Sequence, residues 1–183
     1  MKDNRLGGLA LLAGAVVSIL VMLFHPGGAH HVTKAEFENL IALIIGVHAL
    51  AIAGLPVSFA GALVLTRRLD CPGRIAVIGL IVYGFGLLAE MAAAAMSGLV
   101  TPRVLREMVA HTPAREQWRT LLDFTHSINQ AFAQIGAVAF CVAILLWSVA
   151  MIRRRVFPVG LAVYGLVSNV AILTALVLSL IHI

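Results

Sequence analysis

Charge is scarce in this chain of 183 residues. Only 11% of its residues are Asp, Glu, Lys or Arg, 61% are hydrophobic, and the mean hydropathy is +1.03. Because these few polar side chains cannot cover the surface of a water-soluble globule, the composition predicts a membrane protein. With only two cysteines, Cys71 and Cys141, a disulfide-stabilised fold is not expected. The chain also lacks the HExxH and CxxCH motifs, so no motif identifies a reaction.

Apolar runs long enough to cross a bilayer recur five times along the chain. They lack the alternation of barrel strands, which favours transmembrane helices. The first run is longer than the apolar core of a signal peptide, so we interpret it as a retained span. We predict one all-α integral membrane domain over residues 1–183, with spans at about 6–24, 34–66, 75–100, 113–152 and 156–183. An amphipathic helix on the outer interface is predicted at about 102–111.

Basic residues in the short loops indicate an orientation. Placing the N-terminus in the cytoplasm puts eight Lys and Arg residues inside, close to the helix ends, and five outside. The expected location is a bacterial-type inner (plasma) membrane, with an extracytoplasmic C-terminus. The net charge of +5 then reflects topology and lipid headgroups rather than nucleic acid. The expected partner is the lipid bilayer, with other membrane subunits or a homo-oligomer as alternatives.

An internal repeat links the second half of the chain to the first. Residues 74–84 read RIAVIGLIVYG and residues 155–165 read RVFPVGLAVYG, at an offset of 81. A TKAEF segment opens span 2 and a TPARE segment opens span 4, both typical of helix starts. The repeat predicts two parallel hairpins, spans 2–3 and spans 4–5, packed as a four-helix bundle with the first span beside it.

With this topology, all seven histidines lie towards the outer side of the membrane. They are His25, His30, His31, His48, His111, His126 and His182. Span 4 carries a polar stripe at Asp123, His126, Gln130 and Gln134, with Asn129 beside it. The spacing of 3, 4 and 4 places the stripe on one helix face, which we expect to face the bundle interior or a wet cavity.

Span 3 contains one carboxylate, Glu90, among alanines and methionines. An unpaired carboxylate in the membrane costs about 3 kcal/mol or more, so a functional role is expected. Counting from the nearest outer span ends places Glu90, His48 and His126 at comparable depths, with Asn169 of span 5 near the same level. The sequence therefore predicts one polar pocket open to the extracytoplasmic side.

Histidine and carboxylate ligands suit a transition metal such as Zn, Cu or Fe. The predicted metal ligands are His48, His126, Glu90, His25, His30, His31 and Asp123. Of these, His25, His30 and His31 belong to the outer HPGGAHH loop. Alternatively, His48 and His126 would be the axial ligands of a b-type haem. The predicted cofactor-binding residues are His48, His126, Glu90, Asn129 and Gln130.

Three functions follow from these residues. The preferred one is a metal- or haem-binding membrane protein in redox chemistry. The second is a small-molecule or proton-coupled carrier, or an intramembrane enzyme, with Glu90 and the Asp123–His126 pair handling protons. The third is a structural subunit of a larger membrane complex, whose polar residues only join helices. The sequence leaves open whether the protein is an enzyme.

Overall fold

The computed structural model describes residues 2–25, 34–69, 74–110 and 115–181. Its elements in chain order are α1 (Lys2–Leu23), α2 (Lys34–Arg68), α3 (Ile75–Ala95), a π-helical segment (Met96–Val100), α4 (Thr101–Ala110), α5 (Arg115–Arg154) and α6 (Val159–Ile181). Within the described residues there is no strand. Five helical stretches are long and apolar enough to cross a membrane. The predicted all-α membrane fold is therefore confirmed.

The chain divides into two compact units, which share the long helices. Unit 1 comprises the described parts of Met1–Leu11, Phe59–Leu88 and Gln134–Ile183, and unit 2 comprises those of Leu12–Ser58 and Ala89–Ala133. Polar residues of the predicted pocket, including His48, Glu90 and His126, belong to unit 2, whereas Asn169 belongs to unit 1.

Small side chains let the helices of unit 1 approach closely. Its core consists of Ala62 of α2, Leu69 just after α2, Ala76 of α3, and Ala143, Trp147 and Ala150 of α5. Lipid supplies no hydrophobic driving force between helices, so close contact of small residues is what holds them together. The buried Trp147 indole donates a hydrogen bond to the Ala76 carbonyl at 3.1 Å, which satisfies its N–H within the core.

The two helices of each predicted hairpin are in contact within unit 1. A Cβ built on Gly84 of α3 would lie 3.5 Å from the Phe59 ring of α2. A Cβ on Gly165 of α6 would lie 3.5 Å from Ile144 of α5. Gly84 and Gly165 are equivalent in the sequence repeat. The repeat itself stays a prediction.

Two arginines that the repeat aligns both have left-handed backbone conformations. Arg74, just before α3, has a φ of 58°, and Arg155, just after α5, has a φ of 51°. A residue with a Cβ is strained in the left-handed region, so contacts with the rest of the protein must stabilise the backbone at both arginines. The Arg155 amide donates to the Met151 carbonyl at 2.9 Å and so closes α5. Pro158 then fits the start of α6, because proline lacks an amide hydrogen that a helix start leaves unpaired.

In unit 2, α1 packs on α2 through glycine. A Cβ on Gly54 would lie 2.8 Å from the Val17 side chain, and one on Gly14 would overlap Ser58. Buried residues of the same unit include Ile41, Pro102, Val104 and Thr125. They come from α2, α4 and α5, so the short helix α4 has an apolar side that is withdrawn from solvent. Its placement on a membrane interface stays a prediction.

Candidate functional site

His48 is a buried polar side chain of α2 that is held by a hydrogen bond to its own helix. It is 7% exposed, and its Nδ1 lies 2.7 Å from the Ile44 carbonyl oxygen one turn earlier. Because a carbonyl can only accept, Nδ1 must carry the hydrogen. In the neutral ring Nε2 then keeps its lone pair. Metal-bound histidines use the same arrangement, with one ring nitrogen donating to a carbonyl and the other binding the metal.

A second imidazole lies beside His48. His25, which follows the end of α1, has its ring centroid 5.4 Å from that of His48, and the two rings meet edge to face at 68°. Two imidazoles that bind one ion at ~2.0 Å with a tetrahedral angle have centroids about 5 Å apart. A centroid separation of 5.4 Å is compatible with two ligands of a single ion, and it is also the separation of ordinary edge-to-face ring pairs.

The π-helical segment Met96–Val100 lies against the other side of His48. A Cβ built on Gly98 would overlap the Cβ of His48 and lie 3.1 Å from its Cγ. The Met96 carbonyl accepts from the Thr101 amide and from its hydroxyl, the latter at 3.1 Å. Such π-helical turns occur frequently at functional sites. Gly98 is one of several small residues of span 3 that favour close helix packing, but the sequence does not indicate that His48 is the side chain it packs against.

The polar stripe of α5 does not face the interior as expected. Asp123, His126 and Gln130 are exposed, and Gln134 is partly exposed. The buried side of this stretch is occupied by Thr125, which is 2% exposed. Of the two expected surroundings, the bundle interior does not fit the three exposed residues, and the wet cavity stays a prediction.

The physical reason is the length of α5. His126 lies 26 positions before Ile152, which is at the C-terminal end of the apolar run, and the rise between the two residues is about 39 Å. The hydrocarbon core is only about 30 Å thick, so water or lipid headgroups can solvate His126. Asp123 lines an open cleft of about 340 Å³ with Arg115, Arg119 and Met108, which is also consistent with a solvated position.

Three further predicted residues are placed individually. Glu90 is partly buried on α3, on the face that also carries the buried Leu87 and Ala93. Asn129 is partly buried on α5. Asn169 is 6% exposed, and its amide donates to the Gly165 carbonyl of its own helix at 2.8 Å. A hydrogen bond within α6 therefore satisfies part of the Asn169 side chain.

Within residues 2–25, 34–69, 74–110 and 115–181, no three His, Cys, Asp or Glu side chains are grouped so that they could hold a metal ion. His48, Glu90 and His126 accordingly do not form a three-ligand centre. The predicted ligands His30 and His31 lie outside the described residues, as do His111, His182 and Cys71. The pair that the structure brings together is His25 and His48.

An apolar groove lies between α1 and α2. It has a volume of about 250 Å³, and its lining includes Leu20, Phe24, Leu43, Gly46, Val47 and Leu50. Phe24 and Val47 directly precede His25 and His48 in the chain. Neither histidine lines the groove, and helical spacing places His48 on the opposite face of α2 from Leu43, Gly46 and Leu50.

Comparison with known proteins finds no family model, no curated protein and no solved structure that matches the chain.

Proposed function

We propose that this chain is a membrane protein that binds a transition-metal ion near its extracytoplasmic surface, with His25 and His48 as two of the ligands. The observation that supports this proposal most is the pairing of the two rings at 5.4 Å, with Nδ1 of His48 held by a backbone carbonyl. Imidazole ligands favour Cu, Zn or Fe. His30 and His31 of the same outer loop would complete the site.

Redox chemistry is the function we assign to the bound ion, with copper as the preferred metal. Copper or iron can exchange electrons, whereas zinc cannot. A site near the outer surface gives access to soluble electron carriers or to ligands from outside the cell. The chain itself would contribute the imidazoles and their orientation.

A haem held by His48 and His126 has less support. His48 is buried, whereas His126 is on the exposed side of α5. Axial ligands of one haem must face the same cleft from opposite sides. An absorption spectrum of the purified protein separates the two cofactors, because a haem protein has an intense Soret band.

The proposal is tested by metal binding to the full chain in detergent. Protein stripped with a chelator and dialysed against Cu²⁺ is expected to retain one ion per chain. His48→Ala should weaken the apparent affinity at least tenfold, because it removes an anchored ligand. His126→Ala is the matched control, since its imidazole is exposed, and it should bind copper like the wild type.

Circular dichroism of each variant shows whether it is folded before affinities are compared. Failure of the folded wild type to bind copper or zinc would refute the proposal. An equal loss of affinity in the His48 and His126 variants would refute the assignment to His25 and His48.

A further inference from the structure

The described charged side chains of unit 1 are all arginines. They form an exposed set that we call the arginine surface: Arg5, Arg67, Arg68, Arg74, Arg153, Arg154 and Arg155. The acidic residues whose side chains the structure describes all belong to unit 2: Glu36, Glu38, Glu90, Glu107, Glu116 and Asp123. Asp3 and Asp70 lie outside the described side chains. No described carboxylate of unit 1 therefore neutralises the arginine surface.

The core of unit 1 places the arginines of three helical regions at one end of that unit. One buried cluster contains a residue from near the end of α2, from the start of α3 and from near the end of α5: Leu69, Ala76 and Ala150. Arg68 directly precedes the first of these, Arg74 lies two positions before the second, and Arg153 lies three positions after the third. With a rise of ~1.5 Å per helical residue, these arginines lie within about 5 Å of the level of the cluster.

Helix α1 brings Arg5 to the same end. A Cβ on Gly7 would overlap the Val64 side chain, and a Cβ on Gly61 would lie 2.8 Å from the backbone nitrogen of Leu11. The order of these two contacts shows that α1 and α2 run antiparallel within unit 1. Arg5 precedes Gly7 in the chain, so it lies towards the end of unit 1 at which α2 finishes.

A direct contact joins the arginines of α2 to those that follow α5. The Arg68 guanidinium carbon lies 4.7 Å above the centre of the Phe157 ring. Phe157 itself packs against the core of unit 1, and it comes two positions after Arg155. Stacking on a ring occupies the face of a guanidinium and leaves the N–H groups at its edge free to bind an anion. The pair Arg67–Arg68 and the run Arg153–Arg155 therefore adjoin each other at Phe157.

The backbone disfavours arginine at two positions of this surface. Arg74 and Arg155 have φ values of 58° and 51°, where glycine would avoid the strain caused by a Cβ. Arg74 also directly precedes the first residue of α3, and a positive charge at the start of a helix is unfavourable. Neither local geometry nor the helix dipole accounts for Arg74, so a bound anion is the compensation that we consider.

The position of the arginine surface indicates which anion it meets. The stretches that carry it are long and apolar enough to span a membrane, and two of them end in arginine, at Arg68 and Arg154. Side chains at such ends lie at the level of the lipid head groups. Guanidinium groups bind phosphate through two parallel hydrogen bonds. Two adjoining groups of arginines can therefore hold two phosphates that belong to one head group.

We infer that the arginine surface binds cardiolipin, the anionic phospholipid whose head group contains two phosphates. One phosphate would lie at Arg67–Arg68 and the other at Arg153–Arg155, with Arg74 adding positive charge. This inference is independent of the proposed metal site, and it holds for either orientation of the chain in the membrane.

The test is native mass spectrometry of the delipidated full chain, titrated with cardiolipin, phosphatidylglycerol or phosphatidylcholine. Phosphatidylglycerol has one phosphate and a net negative charge, and phosphatidylcholine has no net charge. Arg68→Gln/Arg154→Gln removes one arginine from each proposed phosphate position. Arg115→Gln/Arg119→Gln is the matched control, because it removes two exposed arginines of unit 2.

A second double variant separates lipid binding from folding. Arg74→Gly/Arg155→Gly removes two charges and also relieves the backbone at both positions. Its melting temperature without lipid should be equal to that of the wild type or higher. Its retention of cardiolipin should nevertheless be weaker, because each arginine near the membrane surface contributes roughly fivefold to the binding of anionic lipid.

We expect one cardiolipin per wild-type chain, retained at concentrations at least tenfold lower than phosphatidylglycerol requires, and no retention of phosphatidylcholine. Both double variants of the arginine surface should weaken cardiolipin retention at least tenfold. The control variant should bind cardiolipin within twofold of the wild type.

Three results would overturn the inference. Equal retention of cardiolipin and phosphatidylglycerol would show that the surface does not recognise a second phosphate. Equal retention in the wild type and in folded Arg68→Gln/Arg154→Gln would show that the lipid binds elsewhere, as would an equal loss in the control variant. A wild type that retains no anionic lipid would leave an acidic protein as the partner of the arginine surface.

Discussion

His48 illustrates how a membrane helix holds one side chain in a fixed orientation. Its Nδ1 is bound to the Ile44 carbonyl, and the π-helical segment packs against its Cβ at Gly98. A hydrogen bond within the helix fixes one nitrogen, and close backbone packing restricts the ring. The remaining nitrogen is thus available in a defined position, as metal coordination requires.

At the residue scale, Gly98→Ala is expected to disturb this arrangement. The added Cβ would overlap the Cβ of His48, so α2 and the π-helical segment must move apart. We expect a loss of about 1–3 kcal/mol in unfolding free energy, as for other overpacked sites, together with weaker copper binding.

Gly46→Ala provides the comparison for this variant, because its Cβ meets nothing within 4 Å. It should be neutral or, through alanine's better helix propensity, up to about 1 kcal/mol more stable. Thermal unfolding followed by circular dichroism measures both variants. Equal melting temperatures would show that Gly98 does not restrict His48.

At the scale of single helices, apolar run length was a good predictor. The span predicted at 6–24 corresponds to α1, Lys2–Leu23, and the span at 156–183 to α6, Val159–Ile181. Helix α6 begins at Val159 rather than at residue 156, because Pro158 precedes it. Composition determines these helices because lipid requires every backbone group to be bonded within its own segment.

The direction of helix faces was harder to predict. The polar spacing in α5 defines a stripe correctly, but the stripe's burial depends on how far the helix extends beyond the bilayer. With 40 residues, α5 is about 60 Å long, so its first turns need not bury polar groups. The pairing of His25 with His48 was not predictable either, because it depends on where α1 packs against α2.

The contact between α1 and α2 gives a prediction at this scale. A Cβ on Gly61 would lie 2.8 Å from the backbone nitrogen of Leu11, which cannot move without displacing α1. Gly61→Ala should therefore lower the unfolding free energy by about 1–3 kcal/mol.

Gly8→Ala is the control for that contact, because a Cβ at Gly8 meets no atom within 4 Å and the variant should remain as stable as the wild type. Chemical unfolding in mixed micelles compares the two. If Gly61→Ala is as stable as Gly8→Ala, α1 is not held by close backbone contact.

At the scale of the whole molecule, orientation decides which compartment the histidines meet. Arg67, Arg68, Arg153 and Arg154 end α2 and α5, and the positive-inside rule predicts a cytoplasmic location for these ends. The same rule predicts that the His25–His48 pair lies at the extracytoplasmic side. The proposed metal site depends on this orientation for its supply of metal.

The two native cysteines allow this topology to be tested. Cys141 is free and 4% exposed, so a membrane-impermeant maleimide should react only with Cys71. Cys71 lies in the loop predicted to be cytoplasmic, and labelling of intact cells should therefore require permeabilisation. Gln117→Cys, at an exposed position of α5, should be labelled without permeabilisation. Labelling of Cys71 in intact cells would show that the orientation is the opposite of the predicted one.

The proposed metal site requires imidazoles from two different helical regions to bind one metal ion. Pulsed electron paramagnetic resonance of the copper-loaded full chain tests it most directly, because it counts the imidazole nitrogens coupled to Cu²⁺. We expect at least two coupled imidazoles in the wild type and one fewer in His48→Ala. A count of one or none in the wild type, or a count that His48→Ala leaves unchanged, would contradict it.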